Sequence, residues 1–184
     1  MSRNRPDHPS PGEILVTAAE IDDIVARLGQ EISRDYAGRH PVLISLLKGG
    51  VVFLADLIRH LTIPHHIEFM RVSSYDSTQS SGVVRIVSDL DTSIEGRDVL
   101  LIEDVVDTGT TLAYIVDMLR LRNPGSLEVC ALLRKRVTSR QAGIPIRYLG
   151  HEISDTFVVG YGLDHDENYR NLPFIAALAP GAIR

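Results

Sequence analysis

The chain has 184 residues, 44% of them apolar, which is enough for one substantial core and too little for a second independent domain of ordinary size. Its 19 basic against 24 acidic residues leave a formal net charge of −5, which argues against a general nucleic-acid binder and allows only a local phosphate site. Cys130 is the single cysteine, so no internal disulfide can form, and nowhere do about eighteen apolar residues run together as a membrane span requires.

Residues 1–12, MSRNRPDHPSPG, carry three prolines and little apolar content, so a loose terminus is expected. Arg3 and Arg5 precede no apolar run of signal-peptide length, and the expected location is cytoplasmic. TAAE at 17–20 has the form of a capping box, followed by a helical stripe of Ile21, Ile24, Val25, Leu28 and Ile32, with Gly38 as the stop. PVLISLL at 41–47 is nearly unbroken aliphatic sequence and predicts a strand buried on both faces. KGG at 48–50 then turns the chain into the helix VVFLADLIRHL.

IEFMRVSSY at 67–75 predicts a strand, and DSTQSSG at 76–82 a polar loop. In VLLIEDVVDTGTTL, Val99–Ile102 form a second doubly buried strand with Glu103, Asp104 and Asp107 at its carboxyl end. A helix follows from 110 to about 121, with Leu112, Ile115, Val116 and Leu119 on one face, ended by Pro124 and Gly125. SLEVCALLRK, RYLGHEI and FVVGYGLD are further strand candidates, and LPFIAAL is read as a last one. Cys130 lies in the apolar LEVCALL and reads as a buried structural thiol. Alternating strands and helices indicate a parallel sheet with crossover helices, in a single domain spanning 1–184 without internal repeat or linker.

The turn Asp107–Thr111 joins a buried strand to an amphipathic helix. Its backbone N–H groups, the positive end of the helix and the threonine hydroxyls suit an anion. The spacing of a nucleotide-triphosphate loop is missing, as is G-x-G-x-x-G. On spacing alone the turn reads equally well as a capped helix whose acidic residues complement the dipole. Glu103 and Asp104 would repel a phosphate unless they bind hydroxyls or a cation, a pattern that a sugar phosphate with Mg²⁺ satisfies.

VLLIEDVVDTGTTL resembles the phosphoribosyl pyrophosphate signature of the type I phosphoribosyltransferases. SLLKGG, RVSSYDSTQSSGVV, LLRKR and FVVGYGLDHDENYRNL resemble the hypoxanthine-guanine branch of that family, in the right order between about residues 11 and 178. The resemblance implies the α/β type I phosphoribosyltransferase fold: a Rossmann-like parallel sheet flanked by helices, with a small hood from roughly 11–16 and 150–180. It implies a purine salvage enzyme that moves the 5-phosphoribosyl group from phosphoribosyl pyrophosphate to hypoxanthine and guanine. The products would be the nucleoside monophosphates IMP and GMP and pyrophosphate, with Mg²⁺ as cofactor. Homodimers or homotetramers are expected, with neither nucleic acid nor membrane as partner.

By the same resemblance, Glu103 and Asp104 would bind the ribose hydroxyls directly or through the metal. Thr108, Gly109, Thr110, Thr111 and Leu112 would cradle the 5′-phosphate. Asp107 would face the purine N7, Lys135 would donate to the exocyclic O6, Phe157 would stack on the base and the Val158 backbone would read its edge, with Leu163 also counted among the substrate-binding residues. Leu47, Lys48 and Gly49 would form the pyrophosphate loop, with a cis peptide between Leu47 and Lys48. Asp164 would hold a second Mg²⁺, and Arg170 would pair with the leaving pyrophosphate. Ser74 and Tyr75 would belong to a loop that closes over the reacting centre.

Taken singly, Lys48 and Gly49 read as an ordinary turn, Lys135 as a solvated charge, and Phe157 and Val158 as core. The chain departs from the family pattern at Asp76, where glycine is common, and at His165 and Asn168, where aromatics are frequent. Two competing readings share the phosphate turn: a xanthine- or uracil-preferring transferase, and a phosphoribosyl-pyrophosphate-sensing RNA-binding regulator. Lys135 with FVVGYGLD speaks against the first, and the net charge against the second.

Overall fold

The computed structural model describes residues 11–74, 84–136 and 143–178. A helix, α1 (Ala18–Asp35), opens on the expected capping box. The Thr17 N–H donates to Glu20 Oε2 at 2.8 Å, and the Glu20 N–H donates to Thr17 Oγ1 at 3.3 Å. Ile21, Val25, Leu28 and Ile32 form the buried face of α1. The helix ends at Asp35, and Gly38 takes a φ of +75° in the turn beyond it.

The large sheet is built from β2 (Val42–Leu47), β3 (His66–Ser74), β4 (Val84–Ser88), β5 (Asp98–Val106), β6 (Ser126–Arg136) and β7 (Tyr148–Ser154), in the order β4-β3-β2-β5-β6-β7. Every neighbouring pair is parallel except β3 with β4. The sheet is therefore mixed rather than purely parallel. Its antiparallel edge strand, β4, has no mark in the apolar pattern because most of its described side chains are exposed.

Alternation along the central strands explains their nearly unbroken apolar runs, Ser45 of β2 being the polar exception. Leu43 of β2 and Leu100 and Ile102 of β5 pack with α1 and with Phe53, Leu54 and Leu57 of α2 (Gly50–His60). Their neighbours Val42, Ile44, Val99 and Leu101 pack on the other face with Ile115, Val116 and Leu119 of α3 (Thr110–Arg120). Both faces are dry, so no polar alternation is permitted. Truncating a side chain such as Phe53 or Leu101, each 0% exposed, costs about 2–5 kcal/mol. Cys130 is buried in the α1–α2 layer, and burial pushes its thiol pKa up, as suits a structural residue.

A second, three-stranded antiparallel sheet, β1-β9-β8, forms a small hood from β1 (Ile14–Val16), β8 (Val158–Val159) and β9 (Ile175–Ala177). Two expectations are corrected here. The strand read over FVVGYGLD shrinks to Val158–Val159, because Gly160, Tyr161 and Gly162 take φ values of +101°, +51° and +96°, which no extended strand allows. The stretch 150–180 assigned to the hood also includes the end of β7, which pairs with β6 in the large sheet. No described helix is long and apolar enough to cross a membrane.

From β2 the chain crosses to β3 on one side, and from β5 it crosses to β6 on the other. The carboxyl ends of the paired strands β2 and β5 therefore meet where the strand order reverses. Crevices at such switch points are where open α/β sheets bind ligands.

Candidate active site

Two adjoining cavities open at that switch point, sharing Val105 and Asp107 in their walls. The larger, about 320 Å³, brings together Lys48 and Gly49 from the end of β2, and Asp104 and Asp107 from the end of β5. Lys135 of β6 and, beyond it, Phe157, Val158, Leu163, Asp164 and Arg170 from the hood side complete it. The smaller, about 250 Å³, is lined by Glu103 and by the whole turn Thr108–Leu112.

The peptide between Leu47 and Lys48 is cis, as the resemblance implies. Gly49 then passes so close to β5 that a Cβ there would lie 1.8 Å from Asp104 Oδ2. Only glycine allows this contact between the loop and the carboxylate. Gly162 serves the same purpose from the hood side: its φ is +96°, and a Cβ would lie 2.3 Å from the Gly49 carbonyl oxygen.

Glu103 and Asp104, adjacent on a strand, face different cavities. Burial pushes the Glu103 carboxyl pKa well above the usual carboxylate range, and the neighbouring Asp104 adds to the effect. Burial also raises Asp104, but the Val105 N–H, which donates to its Oδ1 at 2.8 Å, and the Arg170 guanidinium both pull it back.

At the base of the larger cavity, Lys135 Nζ donates to Asp107 Oδ2 at 2.8 Å. Lys135 is only 9% exposed, so its ammonium requires a partner, whereas the Asp107 side chain remains half open to the cavity. The pair presents cationic donors and an anionic acceptor side by side. Phe157, 39% exposed, stands next to it with its ring edge-on to His165 at 5.5 Å. Val158 and Leu163 are buried and close the wall.

The helix ends contrast. Where α1 has a reciprocal cap, α3 has Gly109 at its N-cap, with φ +79° and no side-chain cap bond, and no acidic residue in its first turn. The acidic residues Glu103, Asp104 and Asp107 stand ahead of α3 and not within its first turn. Thr108 and Thr110 face each other, with their hydroxyl oxygens 3.1 Å apart. The Thr110 N–H reaches Thr108 Oγ1 only at 3.5 Å, and a helix start ringed by hydroxyls with no side chain at its N-cap suits an anion.

On the opposite side of the larger cavity, Arg170 Nη1 donates to the Gly162 carbonyl at 2.7 Å, and Nη2 pairs with Asp164 Oδ1 at 2.7 Å. Its Nε is buried with no hydrogen-bond partner among the described residues. Lys48 Nζ donates to Glu167 Oε2 at 2.9 Å, which holds the Glu167 carboxyl below the usual range. Glu167 is the residue that the motifs did not single out. The only sequence signal for it is its place in the charged stretch LDHDENYR. Ser74 ends β3, and Tyr75 lies outside the described residues.

A family model described as the phosphoribosyl transferase domain matches residues 13–166. Over 180 aligned residues the chain is 51% identical to a hypoxanthine-guanine phosphoribosyltransferase of Mycobacterium avium, covering 92% of this chain and 88% of the relative. It is 47% identical over 169 residues to the Bacillus subtilis (strain 168) protein of the same name, covering 91% and 93%. A crystal structure of a hypoxanthine phosphoribosyltransferase from Staphylococcus aureus superposes with a TM-score of 0.90 at 44% identity, covering 100% of both chains.

Proposed function

The chain belongs to the phosphoribosyl transferase family, and from that premise we infer how its residues carry out purine salvage: transfer of the 5-phosphoribosyl group from phosphoribosyl pyrophosphate to hypoxanthine and guanine. The products are IMP or GMP and pyrophosphate. The observation that carries this reading is the Asp107–Lys135 pair beside Phe157, set next to the uncapped N-terminus of α3.

Each part of the substrates meets matching chemistry. The flat base lies against Phe157, its O6 accepts from Lys135, and Asp107 takes the N7 proton as the glycosidic bond forms. A 6-amino purine offers donors where Lys135 also donates, and is rejected. The 5′-phosphate sits at Thr108–Leu112. Lys48 and Arg170 receive the leaving pyrophosphate, and the Arg170 fork of N–H donors matches phosphate oxygens. Departure of pyrophosphate leaves an oxocarbenium-like ribose, which the neighbouring carboxylates stabilise.

Asp104 and Asp164 line the same cavity, while the described residues hold no cluster of three His, Cys, Asp or Glu able to bind an ion unaided. That donor set fits Mg²⁺ held by one or two carboxylates together with substrate oxygens. When bound there, the ion would offset charge on the pyrophosphate. Assembly into a homodimer or homotetramer is part of the same proposal and is read by light scattering.

An ultraviolet assay with phosphoribosyl pyrophosphate and each base, with and without Mg²⁺, tests the reading. Mg²⁺-dependent product from hypoxanthine and guanine is expected. Product from uracil and none from hypoxanthine would reject it.

A further inference from the structure

Asp166 and Glu167 occupy the two central positions of a hairpin turn, with φ values of +50° and +61°. The turn is closed by the Asn168 N–H donating to the His165 carbonyl at 3.0 Å and the His165 N–H donating back at 3.3 Å. Two left-handed residues in succession make a mirror-image turn, which Asn-Gly forms most readily. Glutamate there is held against its own backbone preference, and such outliers gather at functional positions.

What the glutamate does in return is visible in its contacts. Its N–H donates to Asp164 Oδ2 at 2.9 Å, which ties the turn to that carboxylate. Its carboxylate takes the Lys48 ammonium at 2.9 Å and lies 3.5 Å from Arg170 Nη2. One anion thus ties together two cations that belong to distant parts of the chain and line the same cavity. Both Lys48 and Glu167 are more than half exposed, so the pair is weak and readily displaced. Arg170 keeps its bonds to Gly162 and Asp164 if the glutamate withdraws, so its orientation does not depend on Glu167.

We propose that Glu167 is an internal stand-in for pyrophosphate: its carboxylate holds Lys48 and Arg170 before substrate binds and yields them to phosphate oxygens when substrate enters. Acting through Lys48 and Arg170, it lowers affinity for the pyrophosphate end and so favours release of that product. The inference rests on the phosphoribosyl-transfer reading above.

The test compares the parent enzyme with Glu167→Gln, which keeps the shape and the N–H bond to Asp164 while removing the charge. The readouts are the inhibition constant for inorganic pyrophosphate, the KM for phosphoribosyl pyrophosphate and the KM for hypoxanthine. Removing one negative charge beside a multiply charged ligand should lower the first two by about five- to tenfold, with hypoxanthine moving less than about twofold. Glu167→Gly, which also relieves the turn, should shift the pyrophosphate constant in the same direction with a Tm at or above the parent's, and decides the matter if the glutamine variant folds poorly. An unchanged or weaker pyrophosphate constant in an active enzyme overturns this inference alone, as does a parallel change in both KM values. A parent chain that forms no IMP overturns the transfer reading along with it.

Discussion

Gly49→Ala probes the contact between the two strand ends that build the site. Gly49 has φ −56° and ψ −47°, angles open to any residue, so backbone conformation is not the constraint. Space is. An added Cβ would lie 1.8 Å from Asp104 Oδ2 and 2.9 Å from its Cγ, against an optimum of about 3.5 Å or more. Asp104 must turn away, which breaks the bond it accepts from the Val105 N–H at 2.8 Å. A hydrogen bond to a charged group contributes about 1.5–3 kcal/mol, and overpacking costs about 1–3 kcal/mol, so the two together come to about 2.5–6 kcal/mol. For a chain of this size, at about 2–4 °C per kcal/mol, that corresponds to a fall of about 5–24 °C in Tm. Catalysis suffers more, since a shift of about 1 Å at a positioned group costs on the order of 10²-fold, expected here in kcat/KM for phosphoribosyl pyrophosphate. Gly38→Ala is the control: its φ is +75° but nothing lies within 4 Å of an added Cβ, so it costs about 1 kcal/mol of backbone strain and leaves the kinetics alone. Steady-state kinetics and thermal unfolding of both variants decide the matter. If Gly49→Ala kept kcat/KM within about threefold of the parent, the steric reasoning would be wrong.

Asp107→Asn should retain binding of phosphoribosyl pyrophosphate, measured by calorimetry, while kcat falls by about 10²- to 10⁴-fold; a variant as fast as the parent removes Asp107 from the proton transfer. Thr17→Ala deletes the reciprocal cap of α1, far from the cavities, and should cost about 1 kcal/mol in urea unfolding with unchanged turnover. Asp35 is held below the ordinary carboxylate value of 3.8 chiefly by Arg147, which pairs with it at 3.1 Å. Its stabilisation is therefore fully present above that value and is lost as pH falls through the lower folded-state pKa. Urea unfolding between about pH 6 and about pH 2 should show a shallower acid loss in Arg147→Met than in the parent, and superimposable slopes would dismiss the pair's role.

Much of the architecture was legible because burial writes itself into local order. β2 and β5 read as doubly buried strands since their alternate residues face two different helical layers, and α1 announced its start through Thr17 and Glu20. The turn after β5 was legible as a hydroxyl-rich helix entry, but that it lines a cavity together with Glu103, with no side-chain bond from its N-cap, was not. β4 escaped notice because an exposed edge strand is defined by its antiparallel partner β3 and not by its own apolar content. β8 was overread because left-handed Tyr161 looks in sequence like any strand tyrosine.

By itself the sequence determined the chemistry on offer: which carboxylates, hydroxyls and cations exist, and which strand ends and turns carry them. Tertiary structure alone decided their partnerships. Asp107 meets Lys135 from 28 residues away, Lys48 meets Glu167 across 119, and Gly49 presses its backbone on Asp104. Periodicity reports whether a residue is inside, because water acts on each side chain locally. Which groups then touch depends on strand order and register, and those are properties of the assembled sheet.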